Sequence, residues 1–330
     1  MTRSKPDSRD ARLSVCIVTH RSRREIEACL RSIDRQTVPP REVVVVDNAS
    51  DDGTLGLLDG RRDVEVVALP RNVGFATANN LAVRLTTAPL VGLVNPDVEL
   101  EPDWIAEMTS AAERHPSATS LASVQILPGD PPRFDGVGDA YHASGVAWRR
   151  GHRARVRPVD RDVEVFSACG AAAVHRREAF ESVGGFEESF FCYYEDLDLG
   201  FRQRLAGGRC ILVASARCQH AGGASSGGAR SDLATRLGHR NMVWCYARNM
   251  PGLLAVPLLV PFLAGQLTCL LHGLATGRGR TMISAKLEAL RGLPAVMRSR
   301  RAIQRGREAS ILEIARALEW SPWPDRGRLP

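Results

Sequence analysis

The feature that most constrains this chain is an alternation running through its first hundred residues, where short apolar runs are separated by stretches of helical periodicity. Leu13 to Thr19 is a continuous run suited to a strand buried on both faces. Ser22-Arg23-Arg24-Glu25 has the spacing of a capping box, and Ile26, Cys29, Leu30 and Ile33 follow at helical intervals. Glu42 to Val46 holds four consecutive valines and stops at Asp47, before the turn formers Asn48-Ala49-Ser50-Asp51-Asp52-Gly53. Val64 to Leu69 predicts a third strand, Phe75 to Leu85 a helix, and Leu90 to Val94 a fourth strand closed by Asn95-Pro96-Asp97. Strands without polar alternation leave no face for water, so helices must cover both sides. The expected class is α/β, with a mostly parallel central sheet.

Ligands of such sheets bind beyond the carboxyl ends of the strands. Three strands end there in polar groups: Thr19-His20-Arg21, Asp47-Asn48 and Asn95-Pro96-Asp97. One such ending is ordinary turn chemistry; three on one edge predict a site.

With 330 residues the chain can hold one large α/β domain and an appendage. Its 44% hydrophobic and 25% charged residues exclude wholesale disorder. The net charge of +7 lies entirely in the last 80 residues, which hold 12 basic and 5 acidic groups against 32 of each before them. A neutral body with a basic tail argues against a nucleic-acid groove and for a tail that meets an anionic surface. None of the eight cysteines forms a CxxC pair, so neither a zinc ribbon nor a haem motif is expected. Residues 1–12 are polar and charged, and are expected to be a disordered N-terminus rather than a signal peptide.

Residues 128–164 are rich in Pro, Gly and Arg, with Arg149, Arg150, Arg153, Arg155 and Arg157 clustered. They predict a long excursion over the sheet edge, of the kind that serves as a lid. Order resumes at Val165 and leads through Gly184-Gly185 to the aromatic cluster Phe190, Phe191, Tyr193 and Tyr194. Glu195-Asp196-Leu197-Asp198 opens a helix that stops at Gly207-Gly208, and Ile211 to Ala214 is a strand with His220 soon after. Met250 to Gly277 contains no charged residue, long enough to span a bilayer but interrupted by Pro251, Pro257 and Pro261. Arg278 to Arg307 then carries nine basic residues against Glu288 alone. Residues 250–330 are expected to form apolar and polybasic helices that associate with an anionic membrane surface, the other reading being a core or homodimer pair of helices.

The chemistry follows from the strand ends. Asp47 can accept the N3–H of a pyrimidine base. Gly74 permits close backbone approach, and Asn72, Asn79 or Asn80 can reach ribose or base. No GxGxxG follows the first strand, so this is no dinucleotide fingerprint. Asp97 can bind an oxygen-loving Mg²⁺ or Mn²⁺ that neutralises a diphosphate, with His220 as a second protein ligand and Asn95 in the place of another acid. Glu195 and Asp196, at the positive end of a helix dipole, suit acid–base work. Asp198 and Arg202 are spaced to pair along that helix.

In order, Val15-Cys16-Ile17-Val18-Thr19, Val44-Val45-Val46-Asp47-Asn48-Ala49-Ser50, Asn72-Val73-Gly74-Phe75-Ala76, Asn95-Pro96-Asp97, Gly184-Gly185-Phe186, Tyr194-Glu195-Asp196 and His220-Ala221-Gly222-Gly223 resemble glycosyltransferase family 2, most of all its bacterial rhamnosyltransferase branch. The resemblance covers about residues 13–250. It implies a GT-A fold, Rossmann-like with helices on both sheet faces, in which residues 13–127 bind a nucleotide-sugar and residues 165–249 carry the acceptor and catalytic half. It implies inverting transfer, with Thr19, His20, Arg21, Asp47, Asn48, Asn72, Gly74, Asn79, Asn95 and Asp97 around the donor. Asp97 and His220 would hold Mn²⁺ or Mg²⁺, and Asp196, with Glu195 beside it, would be the catalytic base. Arg202, Arg240, Gly185 and Tyr194 would lie near the diphosphate or acceptor. The implied donor is dTDP-L-rhamnose, with UDP-sugars next, and the acceptor a polyprenyl-diphosphate-linked saccharide at the cytoplasmic face of the cell membrane. Asn48 and Asn95 depart from the family's acids. A nucleotidyltransferase would need a Gly-rich loop after the first strand, where the chain reads Thr19-His20-Arg21-Ser22-Arg23-Arg24. A non-catalytic membrane partner would not need Glu195-Asp196.

Overall fold

The computed structural model describes residues 11–222 and 231–321. The expected disorder of residues 1–10, Gly223 of the His220 motif and the last nine residues of the tail lie outside them. The strands are β1 (Leu13–Thr19), β2 (Val43–Asp47), β3 (Glu65–Ala68), β4 (Leu90–Val94), β5 (Val98–Leu100), β6 (Ala118–Leu127), β7 (Arg133–Val137), β8 (Asp139–Tyr141), β9 (Ala147–Arg149), β10 (Val163–Val165), β11 (Ala172–Arg176) and β12 (Arg209–His220). The helices are α1 (Ile26–Asp34), α2 (Thr54–Leu58), α3 (Phe75–Leu85), α4 (Trp104–Arg114), α5 (Arg177–Ser182), α6 (Glu195–Leu205), α7 (Asp232–Asn249), α8 (Gly252–Ala255), α9 (Leu259–Ala275), α10 (Gly279–Arg305) and α11 (Ile311–Ala317).

The alternation predicted for residues 13–94 folds as expected: β3, β2, β1 and β4 lie side by side and parallel. Successive residues of β1 point to opposite faces, so Val15 and Ile17 join the core under α1 and α4, while Cys16 and Val18 join the core under α3 and α5. Beyond β4 the sheet is mixed rather than mostly parallel. β11 runs antiparallel between β4 and β6, whereas β6 and β12 are parallel. The physical reason is connection length: the repeating strand–helix–strand crossover that enforces parallel pairing ends with the fourth strand.

The capping box at Ser22 does not form. Residues Ser22 to Glu25 make a turn, α1 begins at Ile26, and the Ser22 hydroxyl donates to the His20 carbonyl. Residues 128–164 are not a loose excursion. β7 pairs with β6, β8 and β9 form a hairpin, and Phe134, Val137 and Tyr141 are fully buried. Two of the clustered arginines are anchored there, Arg149 on Asp135 and Arg150 on Glu319, while Arg153, Arg155 and Arg157 are exposed. The C-terminal helices share a core with the rest: Leu258, Phe262, Ala289, Val296 and Ile314 pack in one cluster with Phe190, Phe201 and Trp244. Among the described residues no helix is long and apolar enough to cross a membrane.

Candidate active site

At the carboxyl ends of β1 and β2, Thr19 and Asp47 lie opposite each other in register. Asp47 accepts from the Ser50 N–H through Oδ2 at 2.9 Å. Its Oδ1 and the Thr19 hydroxyl are buried without a hydrogen-bond partner among the described residues. Buried polar atoms left unpaired are costly, and a base N–H is the kind of donor that would satisfy them. The neighbouring amides are engaged within the protein. Asn48 donates to Asn72 Oδ1 at 2.9 Å and accepts from the Val73 N–H at 2.8 Å, and the Gly74 N–H also donates to Asn72. Asn48 and Asn72 therefore hold two strand-end loops together at the rim of the site. His20 Nδ1 lies 2.9 Å from the Asn48 carbonyl, and Arg21 pairs with Asp51 at the surface.

Gly74 and the two α3 amides are also engaged within the protein. Gly74 has φ +89°, and a Cβ would meet the Phe191 ring at 2.6 Å and its carbonyl at 2.7 Å. The close approach that requires glycine here is to the Phe191 loop. Asn79 donates back to the Phe75 carbonyl within α3 and is buried, while Asn80 brackets Phe186.

The β5–β12 pairing sets Val98 opposite His220 and so brings Asp97, one residue before β5, beside the imidazole. His220 Nε2 lies 3.4 Å from Asp97 Oδ1, and its Nδ1 lies 2.7 Å from Asp135 on β7. Burial works against the imidazolium, but hydrogen bonds to Asp135 and Asp97 raise the His220 pKa. Burial likewise opposes the Asp135 charge, yet contacts with His152, His220 and Arg149 pull its carboxyl far below the ordinary range. An anionic Asp135 holds the imidazole with Nε2 toward Asp97. A carboxylate oxygen beside an imidazole nitrogen is a donor set that suits Mn²⁺. No group of three or more His, Cys, Asp or Glu side chains that could hold a metal ion is found among the described residues; Asp97 and His220 are a pair that could contribute two donors. Asn95, alongside, is fixed by its backbone N–H to the Ala171 carbonyl.

Ala171 leads to the other half of the site. The preceding residue, Gly170, donates its N–H to Asp196 Oδ2 at 3.1 Å, and Leu197 donates to Oδ1. Asp196 is half-buried at the start of α6, with Glu195 and Asp198 in the same first turn. Glu195 points inward. Burial, then the charges of Asp196 and Asp198, push its pKa well above the ordinary value, which disfavours the anionic form that a base needs. Asp139 behaves alike: burial and the charge of Asp196 push it up to about 8. Arg149 interacts electrostatically with Asp135, Asp139 and Asp196, so the β7 and β8 acids and the α6 acid belong to one charged cluster.

Four further expectations resolve differently. Arg202 is buried against Asp198 at 2.7 Å and donates to the Val183 carbonyl, a structural pairing away from Asp97 and His220. Gly185 has φ +65° and sits against Asn80. Both line a cavity of about 530 Å³ together with Phe180, Glu187 and Arg248, and none of Asp97, Asp196 or His220 lines it. Arg240 donates to the Ser189 and Phe190 carbonyls and stacks on Trp244, and Asn241 donates to the carbonyls of Phe190, Cys192 and Tyr193. These two residues clamp the loop that enters α6. Tyr194, with φ +68°, ends that loop and accepts from the Ala147 N–H. The groups missed from sequence are Asp135, Asp139 and Arg149. Their segment reads Pro131-Pro132-Arg133-Phe134-Asp135-Gly136, whose Pro and Gly content masks the strand that carries Asp135.

Comparison with known proteins agrees with this geometry. The model of Glycosyl transferase family 2 matches residues 14–184. The chain is 30% identical over 233 residues to the N-acetylglucosaminyl-diphospho-decaprenol L-rhamnosyltransferase of Mycobacterium tuberculosis, covering 63% of this chain and 75% of that one. It is 28% identical to the low-salt glycan biosynthesis hexosyltransferase Agl10 of Haloferax volcanii, covering 61% and 65%. Its fold matches S. aureus TarS 1-349 in complex with UDP-GlcNAc (TM-score 0.58, 15% identity, 94% and 93% covered). It also matches the mannosyltransferase PcManGT of Pyrobaculum calidifontis in complex with GDP-Man and Mn2+ (TM-score 0.52, 18% identity, 94% and 88% covered). With a mixed-sheet GT-A fold and a family match over half its length, the chain belongs to glycosyl transferase family 2 and is a glycosyltransferase.

Proposed function

We propose that this chain is an inverting rhamnosyltransferase, moving L-rhamnose from dTDP-L-rhamnose to a hydroxyl of a polyprenyl-diphosphate-linked saccharide in cell-wall or surface-polysaccharide synthesis. The reading is supported by Asp47 at the carboxyl end of β2, Asp97 with His220 just past β4, and Asp196 held by the Gly170 N–H before β11. Donor and acceptor follow the named activity of the mycobacterial relative. Asp47 and Thr19 bind the pyrimidine. Asp97 and His220 are the residues that would hold a divalent cation, which when bound neutralises charge on the departing diphosphate. Asp196 takes the proton from the acceptor hydroxyl as its oxygen attacks the anomeric carbon from the face opposite the diphosphate, and a single displacement inverts that centre. The Gly170 and Leu197 N–H groups aim and stabilise the carboxylate for this role.

A UDP-sugar donor is the second reading, because Asp47 cannot separate uracil from thymine by N3–H and TarS is seen with UDP-GlcNAc. Donor consumption by the purified chain, assayed with dTDP-L-rhamnose and a set of UDP-sugars, separates them. Turnover of dTDP-L-rhamnose is expected, and turnover only of UDP-galactofuranose would overturn the rhamnosyl assignment. Asp196→Asn should lower kcat by about 10²–10⁴-fold with donor affinity and melting temperature unchanged. Full activity in that variant would remove Asp196 as the base.

A further inference from the structure

The C-terminal helices carry a surface that the transfer reaction does not use. On α9, Val260, Leu263, Leu267, Leu271 and Leu274 recur at helical spacing, and on α10 so do Ile283, Leu287, Leu290 and Met297. All nine are between 47% and 75% exposed, unusual for a row of large apolar side chains. The inner faces of the same helices are already engaged. Phe262 stacks on Tyr246 at 4.0 Å, Gly273 sits against Met282, and Ala289 accepts from the Trp244 indole on α7. The outer rows are therefore surplus to holding the helices in place.

The charge beside these rows selects the occupant. Arg280, Arg291 and Arg298 are spaced 11 and 7 residues apart, which at 100° per residue puts them within about 20° of one another, flanking the apolar row of α10. All three are exposed. The one acidic residue between 250 and 307 is Glu288, and it is paired with Arg236 at 3.1 Å. A second copy of the chain docking by two-fold symmetry would set like arginine rows together with no carboxylate to neutralise them. An anionic lipid surface meets both features at once, taking the leucines into its acyl boundary and the arginines at its headgroups.

We propose that α9 and α10 lie in the plane of an anionic bilayer, as a two-helix docking face rather than a span. α10 packs along α7, whose Asn241 holds the loop leading into Asp196. The docked bilayer thus sits on the Asp196 half of the enzyme. The docking is independent of which sugar is moved and of which acceptor receives it.

Co-sedimentation of the full chain with phosphatidylcholine vesicles, with and without phosphatidylglycerol, tests this directly. Binding is expected only where phosphatidylglycerol is present. Arg291→Glu with Arg298→Glu should weaken it at least about tenfold. Leu263→Gln with Leu267→Gln should abolish it, and both variants should melt as the parent does, because the changed side chains face outward. Equal binding to both vesicle types, or binding indifferent to the arginines, would overturn the anionic-surface assignment. A dimeric parent that binds no vesicle and becomes monomeric in the leucine variant would show a homodimer face instead. Absence of both binding and dimerisation would also overturn the proposal.

Discussion

The imidazole of His220 meets a carboxylate on each of its nitrogens, and the two distances separate their roles. Asp135, at 2.7 Å, orients the ring; Asp97, at 3.4 Å, faces the nitrogen left available. Asp135→Asn should therefore weaken Mn²⁺ binding by about 10–100-fold, measured by titration calorimetry in the absence of donor. An unchanged affinity would reduce Asp135 to a packing role. Asp139 gives a prediction of opposite character. Its pKa in the folded protein, about 8, lies above the ordinary 3.8, so the folded state holds this proton more tightly than the unfolded chain. The stability this provides is present at low pH and is lost as pH rises from about 4 through 8. Asp139→Asn should gain melting temperature relative to the parent between pH 5 and 8. A difference that stays flat over that interval would contradict the assignment. The positions of Asp47 at a strand end, Asp196 at a helix start and Asp97 just past β4 were legible from sequence, because strand ends and a helix start advertise themselves. Asp135 and Asp139 were hidden in a segment whose Pro and Gly content disguised three short strands.

At the scale of elements, the loop from Phe190 to Tyr194 decides where Asp196 points. Phe191, Tyr193 and Tyr194 all have positive φ, a strained arrangement for non-glycine residues. It is held from one side by Asn241 and Arg240 on α7, and from the other by Gly74, whose lack of a side chain admits Phe191. Gly74→Ala is expected to destabilise the protein by roughly 1–3 kcal/mol, combining an unfavourable φ with a clash, and to lower kcat by disturbing this loop. Thermal melting together with steady-state kinetics checks it; a variant with parental melting and kcat would mean the loop yields freely. Motif spacing marked Gly74 and Arg240 as special but assigned them to a ligand. What spacing cannot show is that the close neighbour is another part of the chain.

At the scale of the molecule, residues beyond 250 share a core with Phe190, Phe201 and Trp244 rather than forming an added tail. Leu258, Phe262, Ala289 and Val296 cover Phe190, Phe201 and Trp244. A chain ending at residue 249 should lose this cover and aggregate or melt well below the parent, since removing even one large buried side chain costs about 2–5 kcal/mol. A soluble, monodisperse truncation with parental melting would show instead that the GT-A domain stands alone. The sequence by itself determined the four parallel strands, the helices that cover them and the polar strand ends. These rest on local periodicity, which fixes which face of each element must be dry. Only the tertiary structure decided the antiparallel β11, the partners of Arg202 and Arg240, and the arrival of Asp135 at His220. Each depends on contacts between residues far apart in the chain, and burial alone dictates that such groups find partners without dictating which.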